Sequence, residues 1–215
     1  MRFRAAREQV LATCLELADL GYLAGTGGNV ALRADAAHFA VTPSAVDYYL
    51  MSANDVCIVA LSDERQVDGV RPASVESGLH AGVLRAHPEC NVSVHTHQPL
   101  ASAYSLLCQP LEVRNDEHRR LLGRVVPCLG YAPSGTAWLA MRVAAALGPS
   151  TQACLMRNHG VVCLGEDREQ AMARVGALES ECAAFLLSRT GTALDPSVAS
   201  RVRNALQAAL TEEPR

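Results

Sequence analysis

His95-Thr96-His97 closes an apolar run that begins at Val92. Side chains alternate along an extended strand, so both imidazoles fall on one face while Val92 and Val94 take the other. Two histidines one strand step apart can share a metal ion. A third, His159, stands in Arg157-Asn158-His159-Gly160 between two apolar runs, where Gly160 permits a tight bend that directs the ring into a cleft. Glu76 adds a carboxylate in the first turn of a helix that Ser74 is placed to cap, where the helix dipole favours negative charge. Three imidazoles and a carboxylate suit zinc or another borderline divalent ion, and a catalytic centre would leave room for substrate oxygens. Spacing alone does not make the four converge.

Composition narrows what such a centre would serve. The chain has 215 residues, 49% apolar and 4% aromatic, which supports one core and a single domain over residues 1–215. It holds no apolar stretch of roughly 18 residues, and Met1 to Glu8 is charged, so neither a membrane span nor a secretory signal is expected. A net charge of -3 with acids and bases interspersed is the wrong footprint for a nucleic-acid partner. All 19 basic residues are arginine. Without lysine there is no Schiff-base aldol chemistry, no lysine-anchored pyridoxal cofactor and no Walker-type phosphate loop. If the protein handles carbonyl compounds, something else must be the electron sink. The eight cysteines (14, 57, 90, 108, 128, 154, 163 and 182) form no CxxC pair and are expected to be buried, reduced and cytoplasmic.

The elements that must carry these residues follow from periodicity. Residues 3–20 have helical spacing ending at Gly21, and Gly25-Thr26-Gly27-Gly28-Asn29 is a flexible loop before extended runs at 30–32 and 38–41. Strands are expected at 56–61, 92–97 and 125–129, with a strand pair at 154–157 and 161–164. Helices are expected from Val75 to His87, from after Thr136 to Leu147, over 167–188, and after Pro196. The pattern is one mixed α/β domain.

Five strings, Gly27-Gly28-Asn29-Val30, Val41-Thr42-Pro43-Ser44, Ser74-Val75-Glu76-Ser77-Gly78-Leu79-His80, Val94-His95-Thr96-His97 and Asn158-His159-Gly160, occur in this order. Together they resemble the class II aldolase/adducin family over about residues 7 to 190. The resemblance implies a three-layer α/β/α fold on a central, mainly antiparallel sheet, assembled as a homotetramer with active sites at subunit interfaces. It implies that His95, His97 and His159 ligate a divalent metal, normally zinc, and that Glu76 is both ligand and catalytic base. His80, one turn after Glu76, would support the site without ligating the metal. Thr26, Gly28, Asn29, Ser44 and Ser74 would bind substrate phosphate, although Ala45 replaces the family's usual glycine and Val75 its second serine.

The activity implied is that of a zinc-dependent aldolase cleaving a small ketose phosphate through a metal-stabilised enediolate, the metal replacing the missing amine. Alternatives within the family are decarboxylation of a keto sugar-acid phosphate, 4-epimerisation of a ribulose phosphate, and an adducin-like binding module, whose relatives lack a full metal set. In fuculose-phosphate aldolases a tyrosine from the neighbouring subunit meets the phosphate. Here Asp116 stands opposite that position, in a charged stretch that reads either as a solvated helix face or as one whose His118 or Arg119 reaches the next subunit to read a sugar-acid carboxylate. The family's C-terminal tyrosine has no counterpart past Tyr131. Tyr48, Tyr49 and Tyr131 are then candidate proton donors or, on composition alone, packing residues, and Trp138 reads as core or interface.

Overall fold

The computed structural model describes residues 2–23, 27–190 and 196–211. In chain order these form α1 (Arg4–Asp19), β1 (Asn29–Arg33), β2 (His38–Val41), β3 (Cys57–Ala60), β4 (Gln66–Asp68), α2 (Ser77–Ala86), β5 (Val92–Thr96), α3 (Pro99–Ser105), β6 (Leu111–Glu112), α4 (Asp116–Leu122), β7 (Val125–Val126), β8 (Cys128–Leu129), α5 (Ala137–Ala146), β9 (Ala153–Met156), β10 (Gly160–Gly165), α6 (Arg168–Thr190) and α7 (Pro196–Thr211). Eight strands make one sheet in the order β4-β3-β2-β1-β5-β10-β9-β8. Every pairing in it is antiparallel except β8 with β9.

The period-two pattern of the strands decides the layers. Val30, Leu32, Val92, Val94, Val161 and Cys163 pack to one side with Val10 and Cys14 of α1, Leu100 of α3 and Val175 and Leu178 of α6. Their alternates face the other side, where Val162 and Leu164 meet Leu79 and Val83 of α2 and Leu139 and Val143 of α5. Ala31, Phe39 and Val59 meet Ala81 and Leu84 of α2 on that same side. Each aliphatic side chain fully buried this way contributes roughly 1.5–3 kcal/mol, so both faces of the central strands hold helices against them. The result is the α/β architecture with a mainly antiparallel central sheet.

Several boundaries differ from the sequence reading, for local reasons. The segment 125–129 is not one strand: Pro127 lacks an N–H, and the chain changes partners there, β7 pairing with β6 and β8 with β9. The 75–87 helix begins at Ser77, two residues later than expected, because Ser74 Oγ accepts the Glu76 N–H at 3.2 Å and Ser77 N–H donates to Ser74 O at 2.9 Å, forming a turn instead of a cap. Glu76 therefore sits at the residue preceding the helix, outside its first turn. Strand β4, helix α3 and the β6–α4 segment are each too short for periodicity to declare them. Among the cysteines, Cys108 is exposed and Cys128 half-buried, against the expectation of uniform burial; all eight are unpaired. Tyr49 and Tyr131 are 59% and 56% exposed and Trp138 50%, so none of the three is a core residue. Tyr48 is buried, its hydroxyl donating to Gly28 O at 2.6 Å.

Candidate metal centre

Strand β5 lies at the middle of the sheet, between β1 and β10, with His95 in register with Asn29 on one side and Val162 on the other. Since Val92 and Val94 turn toward α1 and α6, His95 turns toward the α2 and α5 layer. His97 follows the strand, held by its N–H on Tyr22 O at 3.2 Å. The turn after it is anchored by Glu179, whose carboxylate accepts the N–H groups of Leu100 and Ala101 at 2.7 and 2.9 Å. His159 comes from the three-residue loop joining β9 and β10. Asn158 is left-handed there (φ 55), a conformation asparagine tolerates, and a Cβ on Gly160 would meet His97 Cδ2 at 2.7 Å and His95 Cε1 at 3.1 Å. Glycine is what lets the loop close onto the other two rings.

The three imidazoles converge, their candidate ligand atoms all within 4.8 Å of one another and the ring centroids 4.8–5.6 Å apart. His97 Nε2 lies 3.1 Å from His95 Nε2. Glu76 completes the cluster, with Oε2 3.2 Å from His95 Nε2 and Oε1 3.2 Å from His159 Nε2. His95 Nδ1 faces Val161 O at 2.8 Å, an obligate acceptor, so Nδ1 carries the hydrogen and Nε2 presents a lone pair. A lone pair and a carboxylate oxygen that close repel unless a cation or proton lies between them. His159 Nδ1 is buried without a partner among the described residues. This donor set, neutral imidazoles plus a carboxylate, fits a divalent ion of the zinc type.

Electrostatics support the same protonation pattern. Burial pushes His97 down to about 4, with His95 and His159 adding to the shift and Glu76 opposing it. Burial alone would raise the Glu76 carboxyl, but its contacts with His159, His95 and Asn29 outweigh it and hold the group far below the usual carboxylate range, in the charged form a cation would meet.

Around this cluster lies a hydrogen-bonded support that sequence reading found only in part. Asn29 Nδ2 donates to Glu76 Oε2 at 2.8 Å, and Asn29 Oδ1 faces His80 Nε2 at 2.6 Å. His80 Nδ1 in turn meets Ser93 Oγ at 2.8 Å. On the opposite side Ser134, in the turn before α5, donates to Glu76 Oε1 at 2.8 Å. Ser134, Ser93 and Glu179 escaped the sequence reading. No local spacing marks them, because each meets the site only once the helix layers have packed.

The phosphate-binding candidates are placed as follows. Thr26 lies outside the described residues. Asn29 is committed to Glu76 and His80, and the Gly28 carbonyl to Tyr48. Ser44 and Ser74 stand on adjacent segments, joined by Ser44 N–H to Pro72 O at 2.9 Å and Ser74 N–H to Thr42 O at 3.0 Å. Ala45, where the family's glycine was expected, is itself left-handed at φ 54. Asp116, His118 and Arg119 all have partners within their own chain other than the histidine cluster: Arg119 Nη1 pairs with Asp116 at 2.9 Å, and His118 Nδ1 with Glu181 at 2.8 Å.

Comparison with known proteins identifies the family. The pattern described as the class II aldolase and adducin N-terminal domain matches residues 8–186. The chain is 31% identical to L-fuculose phosphate aldolase of Methanococcus maripaludis over 166 residues, covering 77% of this chain and 88% of that protein. It is 30% identical to the enzyme of the same name from Escherichia coli O6:H1, covering 76% and 74%. A solved L-fuculose 1-phosphate aldolase superposes with a TM-score of 0.81 over 94% of this chain and 96% of that one, at 21% identity, a likeness of fold.

Proposed function

This chain belongs to the class II aldolase/adducin family, and from that premise we propose that it is a zinc-dependent aldolase that cleaves a small ketose phosphate between two carbons. The observation that carries the reading is Glu76, whose two carboxylate oxygens each lie 3.2 Å from an imidazole Nε2 within the three-histidine cluster. His95, His97, His159 and Glu76 would hold the ion. When bound, the metal supplies the electrophile that draws charge onto the substrate's carbonyl and hydroxyl oxygens, a task for which this chain has no lysine. Glu76 then moves the proton at the carbon next to the carbonyl, held in reach by Asn29 and Ser134. Of the phosphate-binding candidates, Thr26, Gly28, Ser44 and Ser74 receive the phosphate through hydroxyl and backbone donors, while the Asn29 side chain is engaged by Glu76 and His80. We further read residues 1–215 as one domain acting as a homotetramer. Eight unpaired cysteines support a reducing, cytoplasmic setting, and no helix among the described residues is long and apolar enough to cross a membrane.

Proton exchange tests the proposal without a choice of aldehyde. Zinc-loaded protein incubated with dihydroxyacetone phosphate in heavy water should remove one hydroxymethyl C–H stereospecifically, as followed by NMR. The exchange should vanish in Glu76→Gln and on chelation, and return when zinc is restored to the wild type. Absence of exchange with stoichiometric zinc bound refutes the aldolase reading and redirects the assignment to decarboxylation of a keto sugar-acid phosphate.

A further inference from the structure

Away from the histidine centre, a hollow of about 460 Å³ opens between the end of α4, β7, the loop before β9 and the side of α6. Four arginines line it: Arg119, Arg120, Arg124 and Arg174. No carboxylate does, in a chain whose net charge is -3. Ser150 and Gln152 add uncharged polar groups to the wall. The close approach that forms the hollow depends on Gly123, left-handed at φ 82, where a Cβ would collide with the Ser150 carbonyl oxygen.

Arg174 is the informative member. It is 8% exposed, yet its hydrogen bonds go only to neutral carbonyls, Nε to Leu121 O at 2.9 Å and Nη1 to Leu164 O at 2.7 Å. Carbonyls satisfy donors without cancelling charge, and a buried guanidinium without a counter-ion is costly. Glu166 and Asp167 influence it from a distance and line a different hollow. Arg119 is met by Asp116, whereas Arg120 and Arg124 make no ion pair or side-chain hydrogen bond among the described residues. The helix dipole accounts for arginines in the last turn of α4, with Asp116 and Glu117 in its first. It does not account for Arg124, beyond the helix end, or for Arg174, which arrives from α6.

We propose that this hollow is a second anion site, which binds a phosphate-bearing small molecule between Arg120, Arg124 and the inner edge of Arg174. Planar guanidinium forks match phosphate oxygens two at a time, and the volume admits more than a bare phosphate group. The site shares no residue with the histidine cluster, so its occupancy is separable from catalysis.

Isothermal titration of the metal-free full chain with inorganic pyrophosphate at low ionic strength tests the proposal. A saturable binding class is expected at the hollow, weakened about tenfold or more by Arg120→Gln and by Arg124→Gln and distinct from any class that depends on the active-site phosphate donors. It should be unchanged in Ser44→Ala, which alters the phosphate donors proposed for the active site. Arg142→Gln, an arginine outside the hollow, controls for bulk charge and should leave the affinity unchanged. The proposal is overturned if no saturable binding is seen, if Arg142→Gln weakens binding as much as the two hollow variants, or if the class disappears in Ser44→Ala and survives in both hollow variants.

Discussion

Replacing Asn29 with alanine should cost the metal-free protein about 3 kcal/mol, because the amide joins two buried groups, one of which, the His80 Nε2, has no other partner. Glu76 can only accept, so Asn29 must aim its NH₂ at Oε2 (2.8 Å) and its oxygen at His80 Nε2 (2.6 Å). That fixes the hydrogen of His80 on Nε2 and leaves Nδ1 to accept from the Ser93 hydroxyl at 2.8 Å. Alanine removes a bond to a charged acceptor, worth roughly 1.5–3 kcal/mol, and strands an imidazole N–H in a fully buried position, at roughly 1–3 kcal/mol. The Glu76 side keeps its other donors and relaxes partly, which places the sum near the lower half of the range. For a chain of this size about 3 kcal/mol is a fall of roughly 6–12 °C in melting temperature. Urea denaturation of chelator-treated protein reads it directly, with an unchanged slope confirming that only stability moved. A double-mutant cycle with His80→Ala should return a coupling of about 1 kcal/mol or more. A single-mutant cost below about 1 kcal/mol, or strict additivity in the cycle, would refute the oriented network.

Three further outcomes follow from neighbouring features. Burial, reinforced by His95 and opposed by Glu76, holds His80 down to about 3 against an ordinary 6.5, so the unfolded chain takes up its proton first. This contribution to stability is complete above about pH 6.5 and declines as pH falls toward 3, by up to ~1.4 kcal/mol per pH unit; urea midpoints from about pH 7 to 4 should show the decline, flattened in His80→Gln. Ala45→Gly should raise stability by about 0.5–1 kcal/mol, since a left-handed alanine is strained, and a lower melting temperature would contradict that conformation. Ser134→Ala should slow heavy-water exchange roughly tenfold while leaving the urea midpoint nearly unchanged, because Ser134 is solvent-exposed, and Ser134→Thr should restore the rate.

The parts of the site legible in the sequence are those whose geometry is set within a few residues. His95 and His97 share a face because they are two apart on a strand, and His159 turns inward because the loop between β9 and β10 is short and Gly160 admits the neighbouring rings. The run from Val161 to Leu164 is likewise readable as a strand, whereas the central sheet and its two helical layers were expected from the family resemblance and not from the alternation. What was not legible depends on pairs far apart in the chain. Ser134 and Glu76 are 58 residues apart, His80 and Asn29 51, and Glu179 reaches back 79 to Leu100. Ser and Glu at those positions are compositionally ordinary, and only the packing of α2 beside α5, and of α3 beside α6, gives them partners. The misplaced start of α2 has the same origin on a smaller scale. Ser74 could cap a helix or close a turn, and the turn wins because the segment 72–74 is already held by backbone bonds to Thr42 and Ser44, which leaves Glu76 to open the helix instead of riding on it.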